Sequence, residues 1–228
     1  MSALGLEIGL AGLCAVCRPA GSLWLEAYSA LVVADLHFEK GSAYAARGQM
    51  LPPFDTRETL RRLEAEVEAL APAMVVFLGD SFHDTGAEAR LAPEDARSIE
   101  ALAAARRLVW ITGNHDADGP RRLPGECVER LSLGGLRLVH EPRAGAAAGE
   151  IAGHLHPCAR VQAQGGSVRR RCFVTDGERL VMPAFGALTG GLNIRHQAFG
   201  PLFKRRPVAA VLGRGRVHAV GWSSLRDD

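Results

Sequence analysis

The sequence predicts a single α/β domain, and three observations carry that prediction. Short, wholly apolar runs alternate with helical patterns through the first two thirds of the chain. Strand-like segments joined by glycine-rich turns follow. No repeat, long linker or charge block interrupts the 228 residues to mark a domain boundary.

The elements are expected in this order. Residues 1–17 are apolar, with Cys14 and Cys17 in a strand-like stretch; Glu7 and the lack of an opening Lys or Arg argue against a signal peptide. Residues 30–36 (ALVVADL) read as a buried strand ending on polar side chains. A helix over 59–70 places Leu60, Leu63, Val67 and Leu70 on one face, with Asp55 or Thr56 as its cap. Residues 74–78 (MVVFL) form a second buried strand, stopped by Gly79. A second helix over 93–107 has Pro93 in its first turn and turns Ala96, Ile99, Leu102 and Ala103 inward. Residues 108–112 (LVWIT) are the third strand. Past Gly113, short strands are expected at 136–140, 150–154, 172–175 and 180–182, and a hairpin pairs 207–212 with 217–222.

Composition narrows the function classes. Apolar residues at 47% and charged residues at 23% suit a globular chain and exclude disorder. A net charge of +2 excludes a polycation that coats nucleic acid indiscriminately. Lys40 and Lys204 are the only lysines, so the remaining bases are arginine. That bias is what a GC-rich genome produces, and it is also what bidentate phosphate binding selects. The five scattered cysteines do not make a disulfide scaffold. Cys14 and Cys17 have zinc spacing without a second pair, and they read as core residues in a reduced cytoplasm. No stretch is long enough to span a bilayer, so a soluble cytoplasmic protein is expected.

Each of the three buried strands ends in side chains that bind metals: Asp35 and His37, then Asp80, then Asn114, His115 and Asp116. His140 closes a later apolar run, and His154 and His156 follow another. Ligands at the carboxyl ends of strands lie where open α/β sheets place their sites. In extended chain, residues two apart point to one side, so Asp35 with His37, and His154 with His156, face one pocket. One such histidine is ordinarily a core or cap residue; five, joined by Asp35, Asp80 and Asn114, are not. Imidazole, carboxylate and amide donors without thiolate suit manganese, iron or zinc. Seven ligands exceed the needs of one catalytic ion, so two divalent ions are expected, bridged by Asp80. Such a pair suits displacement at phosphorus.

The series D-x-H, GD, GNHD, a lone His and GHLH resembles the calcineurin-like metallophosphoesterases in order and spacing, from about Leu31 to Pro157. Three further segments, VADLHFEKG, ARGQMLP and MPAFGALTGGLNI, resemble a bacterial branch, the ligase-associated DNA damage response phosphoesterases, described as endonucleases. The resemblance implies an αββα sandwich of two mixed sheets flanked by helices. It implies that Asp35, His37 and His156 bind one ion, that Asn114, His140 and His154 bind the other, and that Asp80 bridges them. His115 matches the catalytic histidine, which assists the leaving group, and Asp116 would orient its ring. The family often has Asn or Asp after the bridging Asp, whereas GDSFHD stands here; His83 and Asp84 are either outer supports of the site or a surface turn.

Arginine-rich spots at 121–122, 169–171 and 204–206, with Arg47 and Arg57 as weak substrate-binding candidates, could line a groove for a phosphate backbone. Aromatic content is 6% and no aromatics interleave the arginines, so contacts should be backbone-dominated and salt-sensitive. The expected activity is a manganese-dependent DNA phosphodiesterase. The alternatives are a phosphomonoesterase or small-nucleotide hydrolase, or a metal-bearing scaffold in a repair assembly. The branch resemblance implies an ATP-dependent DNA ligase, a helicase and a nuclease as associates, and a homodimer is plausible for enzymes of this kind.

Overall fold

Two mixed β-sheets face each other across one apolar core in the computed structural model, which describes residues 5–52, 54–145, 148–163 and 166–228. Residues 1–4 of the apolar N-terminal stretch lie outside the described residues. The first sheet has strands β1 (Leu6–Leu10), β2 (Leu13–Cys17), β3 (Leu23–Leu25), β4 (Ala30–Ala34), β5 (Met74–Leu78), β6 (Arg107–Ile111) and β7 (Glu126–Val128), in that spatial order. Pairing is antiparallel up to β4 and parallel from β4 to β7. Helices α1 (Lys40–Ala45), α2 (Asp55–Leu70), α3 (Ala87–Arg90) and α4 (Pro93–Ala105) lie in the connections.

The alternation of side chains explains why β4, β5 and β6 read as unbroken apolar runs. Val32, Val76 and Val109 point into the core between the sheets, while Val33, Phe77 and Trp110 meet Leu60, Leu63, Ile99 and Leu102 of α2 and α4. A strand buried on both faces has no polar side to display. The expected apolar faces of both helices are in place, although Leu70, Ala96 and Ala103 are only half-buried. Asp55 and Thr56 lie inside the first turn of α2 rather than capping it; Asp55 instead accepts the Gly41 N–H at 3.1 Å, and Thr56 donates to Glu39.

The second sheet comprises β8 (Arg130–Leu133), β9 (Leu136–Val139), β10 (Glu150–Ala152), β11 (Pro157–Ala163), β12 (Gly166–Thr175), β13 (Arg179–Val181), β14 (Leu192–Asn193), β15 (Val208–Leu212), β16 (Val217–Val220) and β17 (Leu225–Arg226). β15 and β16 form the expected hairpin. β9, β10 and β13 run parallel, as β4 to β7 do in the other sheet. Helices flank the first sheet, while the outer face of the second is covered mainly by a 3₁₀ segment, Gln197–Leu202, through Phe199 and Leu202.

Two expectations are corrected here. The strands that carry ligands end earlier than their apolar runs suggest, at Ala34 and Ala152, because the ligands themselves adopt left-handed backbone. Cys14 and Cys127 are exposed, leaving Cys17, Cys158 and Cys172 as the buried thiols. Residues three apart on a strand point to opposite faces, so Cys14 and Cys17 cannot share a metal. Among the described residues, no helix is long and apolar enough to cross a membrane.

Candidate metal centre

The ligand-bearing loops follow β4, β5 and β6 in one sheet and β9 and β10 in the other, so five parallel strands deliver their carboxyl ends to one place. Parallel hydrogen bonding continues past β4 and β5: His37 N–H donates to the Asp80 carbonyl at 2.9 Å, and Phe38 N–H to that of Ser81 at 2.8 Å. The segment at 182–194 braces both sides. Phe185 N–H bonds the Ala34 carbonyl at 2.7 Å, and Leu192 N–H bonds the His156 carbonyl at 3.0 Å.

Asp35, His37, Asp80, His154 and His156 all have positive φ, between 45° and 68°. Non-glycine residues in this region cost about 1–3 kcal/mol each and persist where surrounding contacts over-determine them. The alternation expected of extended chain is therefore produced by kinked chain, yet each pair still converges. Asp35 illustrates the bracing: its buried carboxylate accepts the His154 backbone N–H at 3.1 and 3.0 Å, tying the loop after β4 to the loop after β10.

Three groups of donors result among the described residues: His37, His83 and His115 form one, and the expected ligands form the other two. Donor atoms of Asp35, His37 and His156 lie within 4.8 Å of one another, as do those of Asp80, His140 and His154. In the first of these two, Nε2 of His156 is 3.4 Å from Asp35 Oδ1 and 3.3 Å from His37 Nε2. In the second, His140 Nε2 stands 3.2 Å from His154 Nδ1 and 3.0 Å from Asn114 Oδ1. Asp80 lies between them, with Oδ1 3.3 Å from His140 Nε2 and Oδ2 3.9 Å from His37 Nε2. The structure brings all seven candidate residues together, Asp35 beside His37 and His156, and Asp80 and Asn114 beside His140 and His154.

The donor chemistry fits divalent cations. Burial pushes His37 down to about 3, which keeps its imidazole neutral and its lone pair available. Burial also opposes charge on Asp80, but hydrogen bonding and charge from His140 outweigh it and hold the carboxyl well below its ordinary value. Burial lowers His154 too, helped by the neighbouring His140. Nitrogen and oxygen donors without sulfur suit a catalytic rather than a structural site.

His115 sits at the open side of this centre, 39% exposed at its side chain, with Nε2 3.9 Å from Asp80 Oδ2. Its backbone N–H donates to Asp80 Oδ1 at 3.0 Å. Its ring Nδ1 lies 2.8 Å from the His83 carbonyl oxygen, which can only accept, so Nδ1 carries the proton and Nε2 faces the centre. The expected role of Asp116 is corrected by this contact. Its carboxylate accepts the backbone N–H groups of Ser81 at 2.8 Å, Phe82 at 3.2 Å and Gly113 at 3.0 Å, so it locks the two loops together and leaves the ring to His83. Burial, with Asp80 nearby, pushes Asp116 up to about 6 despite those donors.

His83 thus supports the site through its backbone, and its ring lies against that of His115, with centroids 5.5 Å apart. Asp84 is a turn residue, accepting the Gly86 N–H at 2.9 Å and pairing with Arg90 at 2.8 Å. Arg47 is close enough for its charge to help lower the His83 pKa, after burial, Lys40 and His115. Lys40 is close enough for its charge to lower both His37 and His83, and it was not visible as a site residue, because a lone lysine after a D-x-H motif carries no pattern. Arg57 is withdrawn from the site: its guanidinium pairs with Asp95 and joins α2 to α4. Of the other arginines, Arg121 pairs with Asp118 at 2.7 Å, Arg169 with Asp228 at 3.1 Å, and Arg171 donates to the Ala184 carbonyl at 2.8 Å. An unpredicted groove of about 530 Å³ adjoins Asn114 and His140 and is lined by both signs of charge, Arg130, Arg137 and Arg143 with Glu129, Glu141 and Glu150.

Glycine is required where chain and ligand nearly touch. A Cβ on Gly113 would lie 2.2 Å from Asp80 Oδ1 and 2.3 Å from its backbone nitrogen. Gly113→Ala is therefore expected to displace Asp80 and weaken metal retention by about 10- to 100-fold, the range for residues that position ligands. Metal content after dialysis against graded chelator checks this, and wild-type retention would show that the loop yields.

A family model of the calcineurin-like phosphoesterases matches residues 28–171. The chain is similar to the crystal structure of a nuclease, MPE, from Pseudomonas putida, at 29% identity and a TM-score of 0.72, over 95% of this chain and 100% of that one. It also matches Yfce, a phosphoesterase from E. coli, at 17% identity and a TM-score of 0.39, over 84% of this chain and 98% of that one. No protein of curated function matches the sequence.

Proposed function

The chain belongs to the calcineurin-like phosphoesterase family, and from that membership we propose that it is a two-metal phosphodiesterase that cuts DNA. The observation that carries this reading is the Asp80 carboxylate, which turns one oxygen to each ligand cluster. Likeness to a nuclease over nearly the whole chain supports a polynucleotide substrate.

Bound divalent ions neutralise phosphoryl oxygens and activate water at neutral pH. Asp35, His37 and His156 would hold one, Asn114, His140 and His154 the other, and Asp80 both. His115 has its ring fixed by the His83 carbonyl, so its Nε2, when protonated, presents a proton to the leaving oxygen. Lys40 and Arg47 add positive charge at the mouth. We take manganese as the ion, on the nitrogen and oxygen donor set. The proposed setting is the DNA damage response, with an ATP-dependent ligase, a helicase and a nuclease as associates. That setting rests on the branch motifs alone, and co-purification tests it.

Initial rates on a generic phosphodiester and the matching monoester, with manganese and with chelator, test the activity. Manganese-dependent diester cleavage is expected, falling by about 10²- to 10⁴-fold in His115→Ala with bound metal unchanged. Preference for the monoester would replace this reading with a phosphatase. Undiminished cleavage by the variant would remove His115 from the reaction.

A further inference from the structure

A second pocket lies away from the metal centre, on the outer face of the second sheet. It has a volume of about 340 Å³ and an aromatic floor of Phe199, Phe203 and Trp222. Its rim carries Arg195, Arg205 and Arg206. Arg195 is already committed, bonded to Asp227 at 2.6 Å and lying 5.4 Å from the Trp222 ring centre. Arg205 and Arg206 are exposed, and neither guanidinium has a partner among the described residues. The sequence shows only basic residues at 204–206; the β15–β16 hairpin returns the chain so that Trp222 meets them.

The pocket is structurally continuous with the metal centre. β11 starts directly after the ligand His156, and β14 lies beside it, with Leu192 N–H on the His156 carbonyl at 3.0 Å and Ile194 N–H on that of Cys158 at 2.9 Å. Ile194 is the first residue of the pocket lining. The protein edge between β11 and β14 thus leads from the metal centre toward the pocket, a path open to a strand held at the ions.

We propose that this pocket binds an unpaired nucleotide of the substrate strand, with its base on Phe203 and Trp222 and its phosphates on Arg205 and Arg206. Unsatisfied guanidinium groups beside an aromatic surface match a nucleotide's two halves, a flat π-face and a charged phosphate. A base within a duplex has no free face to offer, so the pocket selects unpaired DNA. This inference rests on the reading of the enzyme as a nuclease.

Binding of a fluorescent single-stranded oligonucleotide, measured by anisotropy in chelator so that nothing is cut, tests it. Trp222→Ala should weaken binding by about 5- to 100-fold, and Trp222→Phe should restore most of it. Arg205→Ala with Arg206→Ala should weaken it and flatten its salt dependence. Hydrolysis of a small diester with manganese should stay at the wild-type rate in all three, which also shows that they fold. Unchanged oligonucleotide affinity in Trp222→Ala and in the arginine double variant overturns the pocket while leaving the nuclease reading intact, provided wild type cuts DNA. Equal losses for duplex and single strand overturn base stacking. Failure of wild type to bind or cut any DNA overturns both the pocket and the nuclease.

Discussion

Replacing Asp80 with asparagine is expected to lower diester hydrolysis by more than about 10²-fold and to reduce bound manganese from two equivalents to one or none. The lower bound comes from residues that merely support a ligand, whose loss costs about 10- to 100-fold. Asp80 is itself a proposed ligand, with one oxygen turned toward each cluster. Among the seven ligands only Asp35 and Asp80 are carboxylates, the others being imidazoles and the Asn114 amide. The change therefore removes one of two negative charges that face the cations. Asparagine keeps the shape and can still accept the His115 backbone N–H, now bonded at 3.0 Å, so the loop geometry is preserved. Metal analysis after gel filtration, beside rates with added manganese, separates lost affinity from lost chemistry. Two retained ions and a near-normal rate would show that Asp80 does not bridge.

Much of that centre was legible in the sequence because its chemistry is local. Asp35, Asp80 and Asn114 directly follow the apolar runs that become β4, β5 and β6, and strands buried on both faces are the easiest to read. The family motifs then singled out the seven residues that the structure brings together. What escaped depends on contacts distant in sequence. Asp116 adjoins His115 in the chain, which suggests a partnership, yet Ser81 and Phe82 claim its carboxylate across the sheet. The ring of His115 is held by a backbone carbonyl, a group that every residue has and that no side-chain pattern can mark.

The remaining misses have the same origin. β11 and the first half of β12 went unread because residues 166–170 are exposed and polar or small, leaving no apolar run before the expected strand at 172–175. Helix α1 is short and begins after Glu39 in left-handed conformation, without a side-chain cap to announce it. Arg57 looked available to a phosphate until α4 placed Asp95 against it. Phe199 and Phe203 stand just before Arg205 and Arg206 in the chain, but the third aromatic of the pocket, Trp222, reaches it only through a hairpin. Low aromatic content says how many rings there are, and the fold decides which arginines they meet.

Arg179→Met is expected to cost about 3–5 kcal/mol of stability, as breaking a buried ion pair typically does. For a chain of this size that is a drop of roughly 6–20 °C in Tm. Arg179 and Glu150 are paired at 2.8 Å with side chains only 2% exposed, on the adjacent parallel strands β13 and β10. Arg137 on β9 approaches the other carboxylate oxygen, so three strands are crossed by one charged ladder. The guanidinium also donates to the carbonyls of Leu202 at 2.5 Å and Arg143 at 2.6 Å. Methionine would leave Glu150 facing apolar surroundings on one side and strip both carbonyls of a donor. Glu150→Gln should cost less, since the guanidinium keeps its bonds to the Leu202 and Arg143 carbonyls and neither is orphaned. Arg179→Lys should fall between, because an ammonium keeps the charge but cannot span the fork. The effect should also reach catalysis: the carbonyl that Arg179 holds belongs to Arg143, which lines the groove beside His140 and Asn114. Thermal unfolding of the three variants in chelator, with KM for a DNA oligonucleotide measured below their Tm, reads both consequences. An Arg179→Met protein that melts with wild type would mean that the second sheet does not depend on this ladder.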